Sequence, residues 1–168
     1  YEIYQCDWSS DVCSSDLVKH VILDYCRVAL TALRLGNVRN HFQPTNSNID
    51  FWPLFSNEWK KYFFGATAVA NSLFLNLFEC ALSRMPHRDI GIYLMENQPW
   101  EMAFLHAWRS AGHGQLIGVP HSTVLFWDVR CFFDLRTYQQ TNANDLPLPD
   151  KVALNGPAVI STFRNGAF

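Results

Sequence analysis

Three short polar segments hold residue types that can bind ligands or move protons, and each follows an apolar run typical of a β-strand. The first reads ENQPWE at 96–101, the second reads PHST at 120–123, and the third is the Asn155-Gly156 pair. In open α/β sheets, ligands collect beyond the carboxyl ends of the strands. The sequence therefore predicts a site built from these three segments.

Glu96 is the predicted general base of that site, because a carboxylate directly after a strand can accept the proton of a substrate hydroxyl group. Asn97, Trp100 and Glu101 are predicted to bind substrate. They lie where a helix begins, and its free N–H groups and positive potential suit a phosphate or carboxylate. The alternative is that Glu96 and Glu101 only offset the helix dipole.

His121 is the second predicted catalytic residue, since an imidazole can bind an anion or assist proton transfer near neutral pH. Ser122 and Thr123 follow it directly, and Asp128 and Arg130 come later in the same loop. All four are predicted to bind substrate. The alternative is a structural histidine in a loop that Asp128 and Arg130 anchor.

Asn155 and Gly156 complete the predicted substrate-binding set. A glycine after a strand allows a tight turn or a close approach of the backbone to a ligand. The alternative is an ordinary turn between a strand and a helix, with Pro157 as the first helical residue.

Several other kinds of site are disfavoured. The glycines at 112 and 114 precede a strand, whereas a dinucleotide-binding fingerprint follows one. The chain has neither a Gly-Lys-Ser/Thr phosphate loop nor a Gly-x-Ser-x-Gly elbow. His106 and His113 lack a third convincing ligand, so no metal site is predicted. Without an Asp-x-Asp motif, a metal-dependent sugar-nucleotide transferase of the other common architecture is also disfavoured.

Apolar periodicity predicts the elements that position these segments. Helices are predicted at 18–35, 66–85 and 99–111, and a short helix capped by Ser56 is predicted within the aromatic-rich segment 52–64. Buried parallel strands are predicted at 90–94, 115–119 and 151–154, and a loop at 37–50. The alternation of strands and helices with short links is typical of an open α/β sheet. The predicted fold class is therefore α/β, with parallel strands preceded by a helical segment.

The first seventeen residues are predicted to be foreign to the protein. Reverse translation of residues 7–17 gives a DNA string that resembles a widely used short-read sequencing adapter, so this leader is set aside. Its only charged residues are four acids, and without them the net charge changes from −2 to +2. We expect residues 1–17 to pack poorly against the rest of the chain, which we interpret as a gene fragment cut at both ends.

Composition narrows the class of protein further. A hydrophobic content of 49% and an aromatic content of 15% favour a packed core over disorder. The small positive charge of the remaining chain does not favour nucleic acid as a partner. Cys26, Cys80 and Cys131 lie far apart, which is typical of buried thiols in a reducing compartment. The apolar stretches are broken by polar residues, so no membrane span is predicted.

The order of several motifs resembles a family of bacterial surface-carbohydrate (O-antigen or capsule) biosynthesis proteins, which are distantly similar to GT-B glycosyltransferases. The resemblance covers roughly residues 51–157. It rests on GIYLMENQPWE at 91–101, HAWR at 106–109, GHG at 112–114, LIGVPHSTV at 116–124, FWD at 126–128, Arg130, LPD at 148–150 and NGP at 155–157.

The resemblance implies a fragment of a Rossmann-like, GT-B type domain. Together with the adapter-like leader 1–17 and the helical pattern, it predicts a helical part 18–86 and a Rossmann-like part 87–168 that is truncated at the C-terminus. The implied activity is transfer of a sugar from a nucleotide sugar to a glycan acceptor, without a further cofactor. The implied location is the cytoplasm, peripheral to the inner-membrane polysaccharide machinery. The donor nucleotide would bind mainly to a C-terminal half near or beyond residue 168, so we expect the isolated chain to be inactive. The alternatives are a nucleotide-sugar epimerase-like enzyme and a non-catalytic scaffold of a polysaccharide assembly complex.

Overall fold

The computed structural model describes residues 14–35, 38–42, 49–120, 147–154, 156, 157 and 160. Its helices are α1 (Ser14–Arg34), α2 (Trp52–Phe64), α3 (Ala66–Arg84) and α4 (Pro99–Ser110), with a 3-10 turn at Val38–Phe42. Its strands are β1 (Ile90–Met95), β2 (Gln115–Pro120) and β3 (Lys151–Val152). The chain forms two compact units, unit 1 (Tyr1–Leu77) and unit 2 (Phe78–Phe168), with their boundary inside α3.

The predicted helices and strands are present, with ends shifted by a few residues. The helix α1 begins at Ser14, so the last four adapter-like residues form its first turn, whereas residues 1–13 lie outside the described part. The prediction that Ser56 caps α2 is wrong. That helix begins at Trp52, whose N–H donates to the Asp50 carboxylate at 2.9 Å. The predicted loop at 37–50 contains the 3-10 turn, and its Phe42 ring packs against Trp52 and Phe55.

A polar contact joins two helices of unit 1. The Asn76 side chain on α3 is 7% exposed and donates to Asp24 Oδ2 on α1 and to the Ser72 carbonyl, at 2.9 Å each. Because a buried amide is costly without partners, these bonds favour one orientation of α1 against α3. The free thiol of Cys26 on α1 is exposed, contrary to the expectation of a buried cysteine.

Unit 2 is built on a parallel sheet of three strands in the order β1-β2-β3. Between β1 and β2 the register runs from the pair Ile90 and Gln115 to the pair Met95 and Pro120. The helix α4 connects these two strands, as parallel pairing requires. The prediction of a mixed α/β protein with parallel strands is therefore confirmed, and the sheet is compatible with a Rossmann-like fragment.

The core of unit 2 lies on one face of this sheet. It contains Leu82, Tyr93, Met95, Leu105, Ala107, Trp108 and Leu116. On the other face of β1, Ile90, Ile92 and Leu94 are 61%, 70% and 47% exposed. The strand β1 is therefore parallel to β2, as predicted. The prediction that β1 is buried is wrong for the face that carries these three side chains. The helix α4 and the end of α3 pack on the core face of the sheet, to which Tyr93 and Met95 belong.

A Schellman motif ends α4. The Gly112 N–H donates to the Arg109 carbonyl, the His113 N–H donates to the Trp108 carbonyl, and Gly112 has a φ of 72°. The His113 ring then accepts the Arg88 N–H at Nδ1 and donates from Nε2 to the Leu82 carbonyl. The turn therefore ties the end of α3 and the start of β1 to α4.

Gly114 permits the close approach of this turn to β1. A Cβ atom at Gly114 would lie 2.2 Å from the Asp89 carbonyl oxygen, and this backbone atom cannot rotate away. We expect Gly114→Ala to lower the free energy of unfolding by about 3 kcal/mol, measured by urea denaturation. Gly112→Ala is the control: it meets no atom within 4 Å and carries only the strain of its positive φ, about 1 kcal/mol. Equal losses for the two variants would contradict this explanation.

The buried phenol of Tyr93 makes the free energy of unfolding depend on pH in the alkaline range. Burial raises the pKa of Tyr93 above its ordinary value, with a further increase from the Glu101 charge and a decrease from Arg109. The unfolded chain loses this proton near pH 10, whereas the folded chain retains it, so the stabilisation is complete below about pH 10 and declines above it. We expect Tyr93→Phe to reduce the fall of the urea midpoint between about pH 10 and 11. The exposed Tyr62→Phe variant should keep the full decline, and an unchanged decline in Tyr93→Phe would contradict the assignment.

Candidate functional site

The turn between β1 and α4 carries Glu96 and the residues predicted to bind substrate beside it. Its backbone reverses at Asn97, whose φ of 58° lies in the left-handed region. Few side chains adopt this conformation, and asparagine is among those that tolerate it. Glu96 and Asn97 are half-buried, whereas Gln98 and Pro99 are exposed. The turn thus presents a polar surface at the carboxyl end of an edge strand.

Glu101 fixes the conformation of this turn from within. Its side chain is 2% exposed, and its Oε1 atom accepts the backbone N–H groups of Glu96 and Gln98 at 2.8 Å each. The bond to Gln98 is the carboxylate half of a capping box, and the negative charge lies favourably at the helix N-terminus. Each hydrogen bond to a charged group contributes about 1.5–3 kcal/mol. Glu101 is therefore a positioning residue in this structure, and its predicted contact with substrate stays a prediction.

This arrangement changes what the turn can bind. The sequence predicted that free N–H groups at the start of α4 would hold a phosphate or carboxylate. In the structure, the Glu101 carboxylate accepts the N–H groups of Glu96 and Gln98, which precede α4, and so places a negative charge beside the start of the helix. A second anion would meet this charge and that of Glu96. The turn is consequently better suited to a hydroxyl group, whose proton the Glu96 carboxylate can accept.

Trp100 lies between this turn and the core. Its ring is half-buried and packs 6.2 Å from the ring of Phe78, centroid to centroid. The same Phe78 ring contacts Phe104 at 5.3 Å, edge to face. Trp100 therefore has a packing role, and its predicted contact with substrate remains to be tested.

The strand register brings two of the predicted segments to the same edge of the sheet. Met95 pairs with Pro120, so the chain leaves β1 and β2 side by side, directly before residues 96 and 121. Gly156 has a φ of 153°, and a Cβ atom there would meet nothing within 4 Å. The other predicted site residues lie outside the described part of the chain: His121, Ser122, Thr123, Asp128, Arg130 and Asn155.

A second cluster, on α3 and α4, superficially resembles a catalytic triad. His106 Nε2 lies 3.5 Å from Glu79 Oε1 and 3.4 Å from Ser110 Oγ. In a working triad, the acid and the serine bond to different nitrogens of the ring. Here both contacts share one nitrogen on an exposed surface, so the cluster cannot relay a proton in that way. Over the described residues, no group of three or more His, Cys, Asp or Glu side chains is arranged to hold a metal ion.

The helix α3 is long and apolar enough to cross a membrane, judged by length and composition alone. Core helices of globular proteins pass the same test. The C-terminal end of α3 contributes Leu82 and Phe78 to the core of unit 2. The buried share of the apolar window of α3 is 22%.

Comparison of the chain with protein-family models, with curated proteins and with solved structures finds no match in any of the three. The functional interpretation therefore depends on the residues and the geometry of this chain.

Proposed function

We propose that the protein is a glycosyltransferase-like enzyme of bacterial surface-polysaccharide biosynthesis, which transfers a sugar from a nucleotide-activated donor to a glycan acceptor. The observation that carries the proposal is the β1–α4 turn, where buried Glu101 holds the backbone of Glu96 at the carboxyl end of a parallel strand. Ligands of α/β sheets bind at such ends. The ordered motifs at 91–157 give independent support. We extend the proposal to a Rossmann-like, GT-B type domain in the cytoplasm, at the inner-membrane polysaccharide machinery.

Glu96 is the general base of the proposed reaction. Its carboxylate accepts the proton of an acceptor hydroxyl group while that oxygen forms a bond to the anomeric carbon of the donor sugar. The bond from that carbon to the nucleoside diphosphate breaks, and the diphosphate leaves with the electron pair. His121 contacts an anionic group or a hydroxyl group of the substrates, and the neighbouring polar residues bind the sugar.

The charges of the turn favour the acceptor as its ligand. Glu101 already occupies two backbone donors, and Glu96 adds a second carboxylate, so the diphosphate of the donor is repelled there. A neutral sugar hydroxyl has no such penalty and gains an acceptor for its proton. We therefore place the acceptor at the β1–α4 turn and the donor nucleotide on the C-terminal half that the resemblance implies.

The test is an assay of a full-length protein containing residues 18–168, with a panel of nucleotide sugars and with or without glycan acceptors. Mass spectrometry should detect free nucleoside diphosphate together with an acceptor heavier by one sugar. Epimerised nucleotide sugar formed without any acceptor would instead favour the epimerase-like alternative. If no nucleotide sugar is bound or changed, the scaffold alternative is favoured.

A further inference from the structure

The strand β3 is short, and a side chain does part of its pairing. It consists of Lys151 and Val152. The Leu116 N–H of β2 donates to Asp150 Oδ2 at 2.7 Å, and the Asp150 N–H donates to the Leu116 carbonyl at 2.9 Å. In a regular parallel ladder, both bonds would join backbone groups. The Asp150 carboxylate therefore takes the place of a backbone acceptor at the start of β3.

Arg109 on α4 contacts the same carboxylate through its other oxygen. Its guanidinium lies 3.8 Å from Asp150 Oδ1 and also donates to the Leu148 carbonyl. Leu116 is 1% exposed, so water is a poor substitute for the carboxylate as the acceptor of its N–H. The Asp150 carboxylate is thus fixed between β2 and α4.

The apolar side chains of β3 and its flank do not fix the register of this strand by themselves. Val152 and Leu154 pack against the core of unit 2. Because side chains alternate along a strand, a slip of two residues would place Leu154 where Val152 lies, on the same face. This slip would move the chain by about 6–7 Å along β2. The Asp150 bonds exclude it, since they require the carboxylate to lie against the Leu116 N–H.

The register decides where the chain after β3 lies relative to the candidate site. Val152 pairs with Gly118, two residues before the end of β2. Gly156 therefore follows two residues beyond the level at which β2 ends. The strand β1 ends at the same level, directly before Glu96. Since β1 and β3 flank β2, they lie about 10 Å apart, and a substrate can lie across the end of β2 between them.

We propose that Asp150 is a positioning residue of the candidate site, which sets the register of β3 on β2 and so places the Gly156 backbone across the strand ends from Glu96. The helix α4 serves both sides of the site, because Glu101 in its first turn holds the β1–α4 turn and Arg109 in its last turn contacts Asp150. The inference rests on the proposed function for the identity of the substrate, whereas the register of β3 can be tested without it.

Amide hydrogen exchange on the intact chain tests the register. Asp150→Ala removes the acceptor of the Leu116 N–H, so the amides of Leu116 and Ala153 should exchange at least about tenfold faster. Asp150→Asn keeps an acceptor oxygen in place and should retain most of the protection. The amides of Glu96 and Gln98 are the internal control, and their exchange should be unchanged because their acceptor on α4 remains.

Asp89→Ala is the matched control variant. Asp89 directly precedes β1 as Asp150 precedes β3, but its side chain is 95% exposed and lies 3.3 Å from His87 Nε2. This variant should leave the Ala153 amide protected. Unchanged exchange at Ala153 in Asp150→Ala would overturn the inference, as would an equal acceleration at Ala153 and at the amides of the β1–α4 turn.

Sugar transfer by a full-length protein tests the consequence for the site. Displacement of the Gly156 backbone in Asp150→Ala should raise the KM for the glycan acceptor about tenfold, with a smaller fall in kcat, and Asp150→Asn should restore most of the loss. A merely structural role would reduce the amount of active protein, which lowers kcat and leaves KM unchanged. That result would overturn the inference even if exchange at Ala153 is faster. Absence of transfer by the unaltered protein would contradict the proposed function, whereas the exchange rates would still decide the inference about β3.

Discussion

Replacement of Trp108 by alanine is expected to lower the free energy of unfolding by about 3–5 kcal/mol. The indole is 5% exposed within the core of unit 2, and its Nε1–H donates to the Gly114 carbonyl at 2.7 Å. Its ring also packs at a tilt against His113, 4.6 Å from centroid to centroid, in the turn that ties α4 to β1. Alanine removes this volume and leaves the Gly114 carbonyl without its donor. The measurement is urea denaturation, where the midpoint should fall by roughly 2 M.

Trp108→Phe separates packing from hydrogen bonding. Phenylalanine keeps most of the buried ring and loses only the donor to Gly114, so we expect a cost of about 1–2 kcal/mol. The Trp108 ring lies directly against Gly91. A Cβ atom at Gly91 would lie 2.6 Å from this ring, so Gly91 cannot be replaced by a larger residue without displacing the ring. A loss below about 1 kcal/mol for Trp108→Ala would show that the indole is not central to this core.

Replacement of Glu96 by glutamine is expected to reduce sugar transfer by a full-length protein about 100- to 10,000-fold, the range for loss of a general base. Glutamine keeps the size of the side chain and cannot accept the proton of the acceptor hydroxyl. The measurement is kcat at saturating acceptor, with thermal unfolding as a check on folding.

Glu58→Gln on α2 is the matched control for this effect. Its carboxylate is exposed and, among the residues that the structure describes, pairs with Lys61 at 2.7 Å, so transfer should remain unchanged. If Glu96→Gln retains full transfer, Glu96 is not the base. The proposed reaction would then need another proton acceptor.

Local patterns predicted the types of the elements, because apolar periodicity and turn residues specify them directly. They did not predict the exposed face of β1, since continuous apolar runs such as 90–94 carry no information on which face is covered. Ser56 was misjudged as a cap because α2 already begins at Trp52, whose N–H donates to the Asp50 carboxylate. Cys26 was expected to be buried, but the side of α1 that carries it has no described partner.

The location of the candidate site could be predicted from the sequence, but the way in which Glu101 holds it could not. The segment 96–101 lies at the end of a parallel strand, as expected for a ligand site. A structural role of Glu101 at the helix dipole was one of the two interpretations, but its capping role was missed, although a glutamate three residues after the cap is a recognised capping signal. Its burial and its bond to the Glu96 N–H depend on the left-handed turn at Asn97, which local propensity does not specify.

Amide hydrogen exchange at Glu96 and Gln98 tests the central claim, that the buried Glu101 carboxylate holds the candidate site in place. In the unaltered chain these two amides should exchange at least about tenfold more slowly than in Glu101→Leu, because leucine removes their acceptor. Glu101→Gln should retain part of the protection through its amide oxygen. Equal exchange rates at both amides in the unaltered chain and in Glu101→Leu would contradict the claim.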